Sequence, residues 1–184
     1  MKKQSYLKIL QKGSISSELE LEKALIIERK LRLMIKENPE LSVSRNQLRA
    51  IIKDYENLNW SKNSIISDDK IKESELAELI AEKERQFLAT RKEIIKSKLV
   101  ELGINQQDLG IILGHSKSYI SELINGINPF NLKDLIVIHN LFNIKLESLI
   151  PTTIPLKESK RIKSSILKIN KPKLKLAKEE LMLL

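Results

Sequence analysis

From residue 40 to residue 102 the chain contains neither glycine nor proline. A stretch of that length without a strong breaker, and with Leu and Ile recurring every three to four positions over much of it, favours helices. Composition agrees. Aromatic residues make up only 4% of the chain, while Leu, Ile and Lys dominate. That favours helices packed through aliphatic side chains over a strand-rich sandwich. The expected fold class is all-α.

The remaining glycines and prolines divide the chain. Residues 18–37 read as an amphipathic helix with Leu21, Leu25, Ile26 and Leu33 at helical spacing, stopped by Asn38-Pro39. Ser44 is a candidate cap for a second helix, which carries Leu48, Ile51, Ile52 and Tyr55 on one face. The Asn- and Ser-rich residues 57–67 read as a loop. Asp68-Asp69 then opens a helical stretch whose stripe runs through Leu76, Leu79, Ile80, Phe87, Ile94, Ile95, Leu99 and Leu102 to Gly103. Acidic residues suit a helix start, and a glycine suits the position after its end. The pattern leaves open whether this stretch is one helix or two kinked near Thr90. Three regions follow: a helical region over 1–90, a compact domain over 91–150, and a basic, flexible tail over 151–184.

Several functions are excluded or disfavoured. There is no cysteine, so disulfides, thiolate catalysis and Cys-based zinc sites are ruled out. The only histidines are His115 and His139, too few for a metal cluster. Carboxylate pairs such as Glu73 and Glu75 have no convergent partner, and no Ser/His/Asp arrangement or phosphate-cradling glycine loop is present. The expectation is a non-enzyme without metal or cofactor. No apolar run approaches the ~20 residues that span a bilayer, which predicts a cytoplasmic protein without a membrane partner. The formal charge is +9. Residues 151–184 hold nine Lys/Arg against three Asp/Glu and carry most of that excess. Basic charge suits nucleic acid, although a charged tail is commonly only solvated.

Residues 91–150 fall into five short helices by their punctuation. The first ends at Gly103, and Asn105 can cap the second, which runs to Leu113. Gly114 makes a tight turn, and Ser116 can cap a third that ends near Asn125-Gly126. Asn131 opens the fourth, with Leu132, Leu135, Ile136, Ile138 and Leu141 expected in the core, and residues 145–150 form the fifth. The central pattern is Gln106-x-x-Leu109-Gly110-x-x-Leu113-Gly114-x-Ser116-x-x-x-Ile120-Ser121-x-Leu123-x-Asn125-Gly126. A small residue at 110 lets two helices cross closely, and Gly114 permits the abrupt turn. Ile120 and Leu123 pin the third helix on the second, leaving its other face free for a DNA groove.

This segment resembles the Xre-type, lambda-repressor-like helix-turn-helix family. The resemblance implies a five-helix DNA-binding domain. The run from Ser121 to Lys133 is also similar to that of HigA-type antitoxins, as is an upstream element of Leu48, Ile51, Ile52, Tyr55 and Glu56. Antitoxins of that kind neutralise a ribonuclease toxin and repress their own operon. Two features depart from that pattern. Ile127 stands where a basic residue usually follows Asn-Gly, and residues 61–85 together with the tail lengthen the chain.

The resemblance assigns roles to individual residues. Lys117, Ser118 and Glu122 take the base-reading positions, with Lys117 suited to guanine and Glu122 either to cytosine or to solvent. Gln106, Ser116, Tyr119, Asn125 and Asn128 take phosphate or positioning roles. Capping explains Ser116, packing explains Tyr119, and turn formation explains Asn125 and Asn128 equally well. His115 is expected at the surface of the turn, and His139 partly buried or at a dimer contact. The implied partners are double-stranded operator DNA, palindromic and bound by a homodimer, and a ribonuclease toxin. A stand-alone regulator and a non-DNA-binding interaction module are the alternatives.

Overall fold

The computed structural model describes residues 5–61, 66–151, 154, 156–171, 173, 174 and 176. All regular structure among them is helical: α1 (Ser5–Lys12), α2 (Glu18–Met34), α3 (Leu41–Asn59), α4 (Asp68–Glu101), α5 (Gln106–Leu113), α6 (Lys117–Ile124), α7 (Leu132–Phe142), α8 (Leu146–Leu149) and α9 (Leu156–Ile169). None is long and apolar enough to cross a membrane.

The helices enclose two hydrophobic cores. The first is built by α1, α2 and α3 from Tyr6, Ile9, Leu21, Ala24, Ile27, Leu31, Leu48 and Ile52. Glu18 is buried beneath it, and its carboxylate accepts hydrogen bonds from the Tyr55 hydroxyl at 2.9 Å and the Trp60 indole at 3.1 Å. The second core joins the end of α4 to α5–α8 through Ile95, Leu99, Leu109, Leu113, Ile120, Leu123, Ile138 and Leu149.

Helix α4 serves both cores. It is a single helix of 34 residues, about 51 Å long at 1.5 Å per residue, which resolves the choice between one helix and two. Ser67 starts it by accepting from the Lys70 amide. It packs along α2, where its buried positions are the small Ala77 and Ala81 opposite Ala24. Its last turns bury Ile95 and Leu99 in the second core. The boundary expected at residue 90 therefore falls inside a continuous helix.

Other expectations are corrected by long-range packing. Leu33 is 71% exposed, and α2 buries Ala24, Ile27, Leu31 and Met34 instead. Leu79 and Leu102 are exposed on α4. Helix α3 begins at Leu41 with Glu40 as its cap, so Ser44 lies within it. In α7 Leu132, Ile136 and Leu141 are exposed, and Leu135, Ile138 and Phe142 form the buried side. The tail, expected to be flexible, contains α9, whose Ser159 is buried. Leu174 is exposed and Leu176 half-buried. Leu181 and Leu183 lie outside the described residues.

Candidate nucleic-acid interface

Local chemistry places α5 and α6 at an abrupt angle. The Asn105 side chain accepts from the amides of Gln107 and Asp108 at 2.7 and 3.1 Å, and the Asp108 carboxylate accepts from the Asn105 amide at 2.8 Å. This reciprocal cap satisfies amide groups that the helix itself leaves unpaired. At the other end Gly114 adopts φ +75°, and His115 donates its amide to the Gly110 carbonyl at 2.8 Å. Glycine takes that left-handed backbone without steric cost. Ser116 then caps α6 by accepting from the Tyr119 amide at 3.2 Å.

The helices cross at Gly110. A β-carbon there would stand 3.1 Å from the His115 carbonyl oxygen and 3.2 Å from Ile120 Cγ2. Ile120, Leu123 and Ile124 are buried and fix the inner side of α6. His115 lies in the turn, but not as a solvated side chain. Its Nε2 pairs with Asp134 at 3.0 Å, and its ring meets Tyr119 edge-on with centroids 5.1 Å apart. Asp134 also closes the cap of α7 with Asn131. One carboxylate thereby joins the turn to the following helix, and Tyr119 packs on the second core. His139 is half-buried, its Nδ1 2.6 Å from the Ile144 carbonyl oxygen.

On the outer side, Lys117 and Ser118 are exposed at the start of α6. Ser118 also meets the N-terminal part of the chain, and most of the other expected contact residues bond within the domain itself. Asn38, in the turn between α2 and α3, donates to the Ser118 hydroxyl. Glu122 is half-buried and accepts from Ser118 and from the Asn128 amide at 2.5 Å. Burial pushes its carboxyl above the usual carboxylate range, Glu40 pushes the same way, and the two hydrogen bonds pull it back. Tyr6 of α1 is raised to about 12, first by burial and then by the Glu122 charge. Asn128 is only 2% exposed, and Asn125 donates to the Ser121 carbonyl at 2.9 Å. Ile127 is buried in the first core.

Gln106 opens α5 on the edge of a groove of about 480 Å³, which also holds Ser121 and Asn125. Five cations border the same groove: Arg29 and Lys30 from α2, and Arg85, Lys92 and Lys96 from α4, the two α4 lysines one turn apart. Motif reasoning missed them. The only sequence signal was the i, i+4 spacing of the two lysines, which is common on solvated helices. It also missed Asn38 and Tyr6, because contacts this distant in sequence leave no periodic mark.

Residues 95–149 match the helix-turn-helix family model. No curated protein and no solved structure matches the chain. The matched segment begins in the last turns of α4 and ends at α8, so the chain carries a helix-turn-helix domain within a longer all-helical fold.

Proposed function

We propose that the chain is a sequence-specific, DNA-binding transcriptional repressor. The observation that carries this reading is Lys117, exposed at the start of α6, the helix that the helix-turn-helix arrangement presents to a major groove. Lys117 is the principal base-reading residue, donating to guanine. Gln106, with Arg29, Lys92 and Lys96 around its groove, positions the phosphate backbone. Ser118 and Glu122 read bases only after the Asn38 contact opens, so the N-terminal helices must shift on DNA. Ser116 and Tyr119 act in positioning, as cap and packing residue, and Asn125 and Asn128 act by shaping the turn after α6.

The reading includes a homodimer on a palindromic site. Two half-sites about 34 Å apart double the contacts of one small domain. The finer role of antitoxin rests on the similarity of the run 121–133, with the N-terminal helices as the toxin-facing surface. Its test is whether the chain forms a complex with, and inhibits, a ribonuclease encoded beside it.

The test of the repressor reading is a gel-shift titration of the full chain against the fragment upstream of its own gene and against a scrambled duplex. Saturable binding at least tenfold tighter to the upstream fragment is expected. Equal binding to both would remove sequence-specific repression and leave the interaction-module alternative.

A further inference from the structure

A second, partly open pocket lies at the seam of the two cores. It is a cavity of about 280 Å³ between α2, α4, the loop from Gly126 to Phe130 and the chain after α8. Ile26, Phe87, Leu88 and Phe130 give it apolar walls. Four cations line it, Lys23 and Lys30 from α2 and Arg85 and Arg91 from α4.

Among the described residues neither Lys30 nor Arg91 is in an ion pair, although the Glu84 charge acts on Lys30. Arg91 is 6% exposed, donates from Nη1 to the Leu149 carbonyl oxygen at 3.3 Å, and leaves Nε without a hydrogen-bond partner. Its guanidinium carbon lies 5.2 Å from the Phe130 ring centroid, a contact that supports a cation without neutralising it. Lys30 Nζ has only the Gly126 carbonyl oxygen, at 3.5 Å. The acid on the cavity wall, Glu84, is held by Lys23 at 2.5 Å, and Arg85 is held by Glu82 at 2.6 Å. Burial lowers Arg91 to about 10 and Lys30 to about 8, with Arg91 adding to the effect on Lys30. A third group is also unsatisfied: the buried Asn128 carbonyl oxygen has no donor.

Buried charges and buried polar atoms are costly when unpaired. Two cations outside any ion pair of the described residues, on the wall of one largely apolar cavity, constitute a recognition pattern. We propose that this cavity binds a small organic anion with an apolar body, its acid group held by Arg91 and Lys30. The acid supplies the missing counter-charge, and a guanidinium fork suits a carboxylate. The volume, at the lower end for ligand sites, limits the occupant to a compact molecule. Because the walls come from both cores, the occupant bridges the N-terminal helices and the helix-turn-helix domain.

The test uses the full chain without DNA, so its outcome is independent of the repressor reading. Calorimetric titration with 3-phenyllactate, which carries an acid, a hydroxyl and a ring, is compared with neutral 3-phenyl-1,2-propanediol. Phenyllactate should bind at least tenfold more tightly than the diol and raise the melting temperature. Arg91→Met and Lys30→Met should each abolish that preference. Arg91→Met removes a buried charge and Lys30→Met a half-buried one, neither in an ion pair of the described residues, so both variants should fold, as thermal melts will verify. Absence of binding at millimolar phenyllactate, equal binding of acid and diol, or a preference that survives in either folded variant would overturn the proposal.

Discussion

Asn38, in the turn between α2 and α3, donates a hydrogen bond to the hydroxyl of Ser118, the second residue of α6. Eighty positions of sequence separate the two residues, and their contact lays the N-terminal helices against the start of the helix that the DNA-binding reading needs free. A side-chain hydrogen bond of this kind contributes about 0.5–1.5 kcal/mol net. Asn38→Ala should therefore tighten binding to the upstream fragment by roughly twofold to tenfold. A gel-shift titration measures this, and weaker binding by the variant would show that Asn38 supports DNA contact instead of competing with it.

Lys30 makes stability depend on pH in an unusual direction. Burial holds its ammonium at about 8, below the ordinary lysine value of 10.5, and Arg91, Lys92 and Arg85 push it further down while Glu84 pulls it back. Between those two values the unfolded chain binds more protons than the folded one, so stability rises with pH across that window. Lys30→Met should remove the rise and stabilise the protein at pH 7 by about 1–3 kcal/mol, screening by solvent included. Denaturant melts at pH 7.5, 9 and 10.5 on both proteins report it. Parallel pH profiles for the two would contradict the assignment.

Gly110 is the crossing point of α5 and α6. Its missing side chain would meet the His115 carbonyl oxygen and the buried Ile120. Gly110→Val should lower stability by about 1–3 kcal/mol, the usual cost of overpacking. The valine variant should lose DNA binding only as far as it loses folded protein. A melting temperature at or above that of wild type would mean that the helices do not need this close approach.

The parts of the domain that are local in sequence were legible in advance. Asn105, Ser116 and Asn131 cap the helices expected of them, and Gly114 makes the turn, because caps and turns depend on chemistry within four residues. The parts set by distant packing were not. Ile127 departs from the basic residue usual after Asn-Gly for a reason found only in three dimensions: it is buried in the core of α1–α3. Glu122 and Asn128 occupied plausible DNA-contact positions by spacing, yet they bond to each other beneath Tyr6 and Asn38. The stripe on α4 failed at Leu79 because Ala77 and Ala81 make the close contact with α2, and apolar counting favours large residues over small ones. Leu132, Ile136 and Leu141 fit a helical period, but α7 buries only one side.

The most direct measurement is a titration of wild type, Lys117→Ala and Gln106→Ala against the upstream fragment and a scrambled duplex. Lys117 is exposed at the start of α6, and Gln106 sits at the start of α5 beside Lys92 and Lys96. Lys117→Ala should lose about 1–3 kcal/mol on the upstream fragment and almost nothing on the scrambled one. Gln106→Ala should weaken both alike, because phosphates carry no sequence. Wild-type binding that is equal for the two duplexes, or an equal loss on both from Lys117→Ala, would contradict sequence reading by α6.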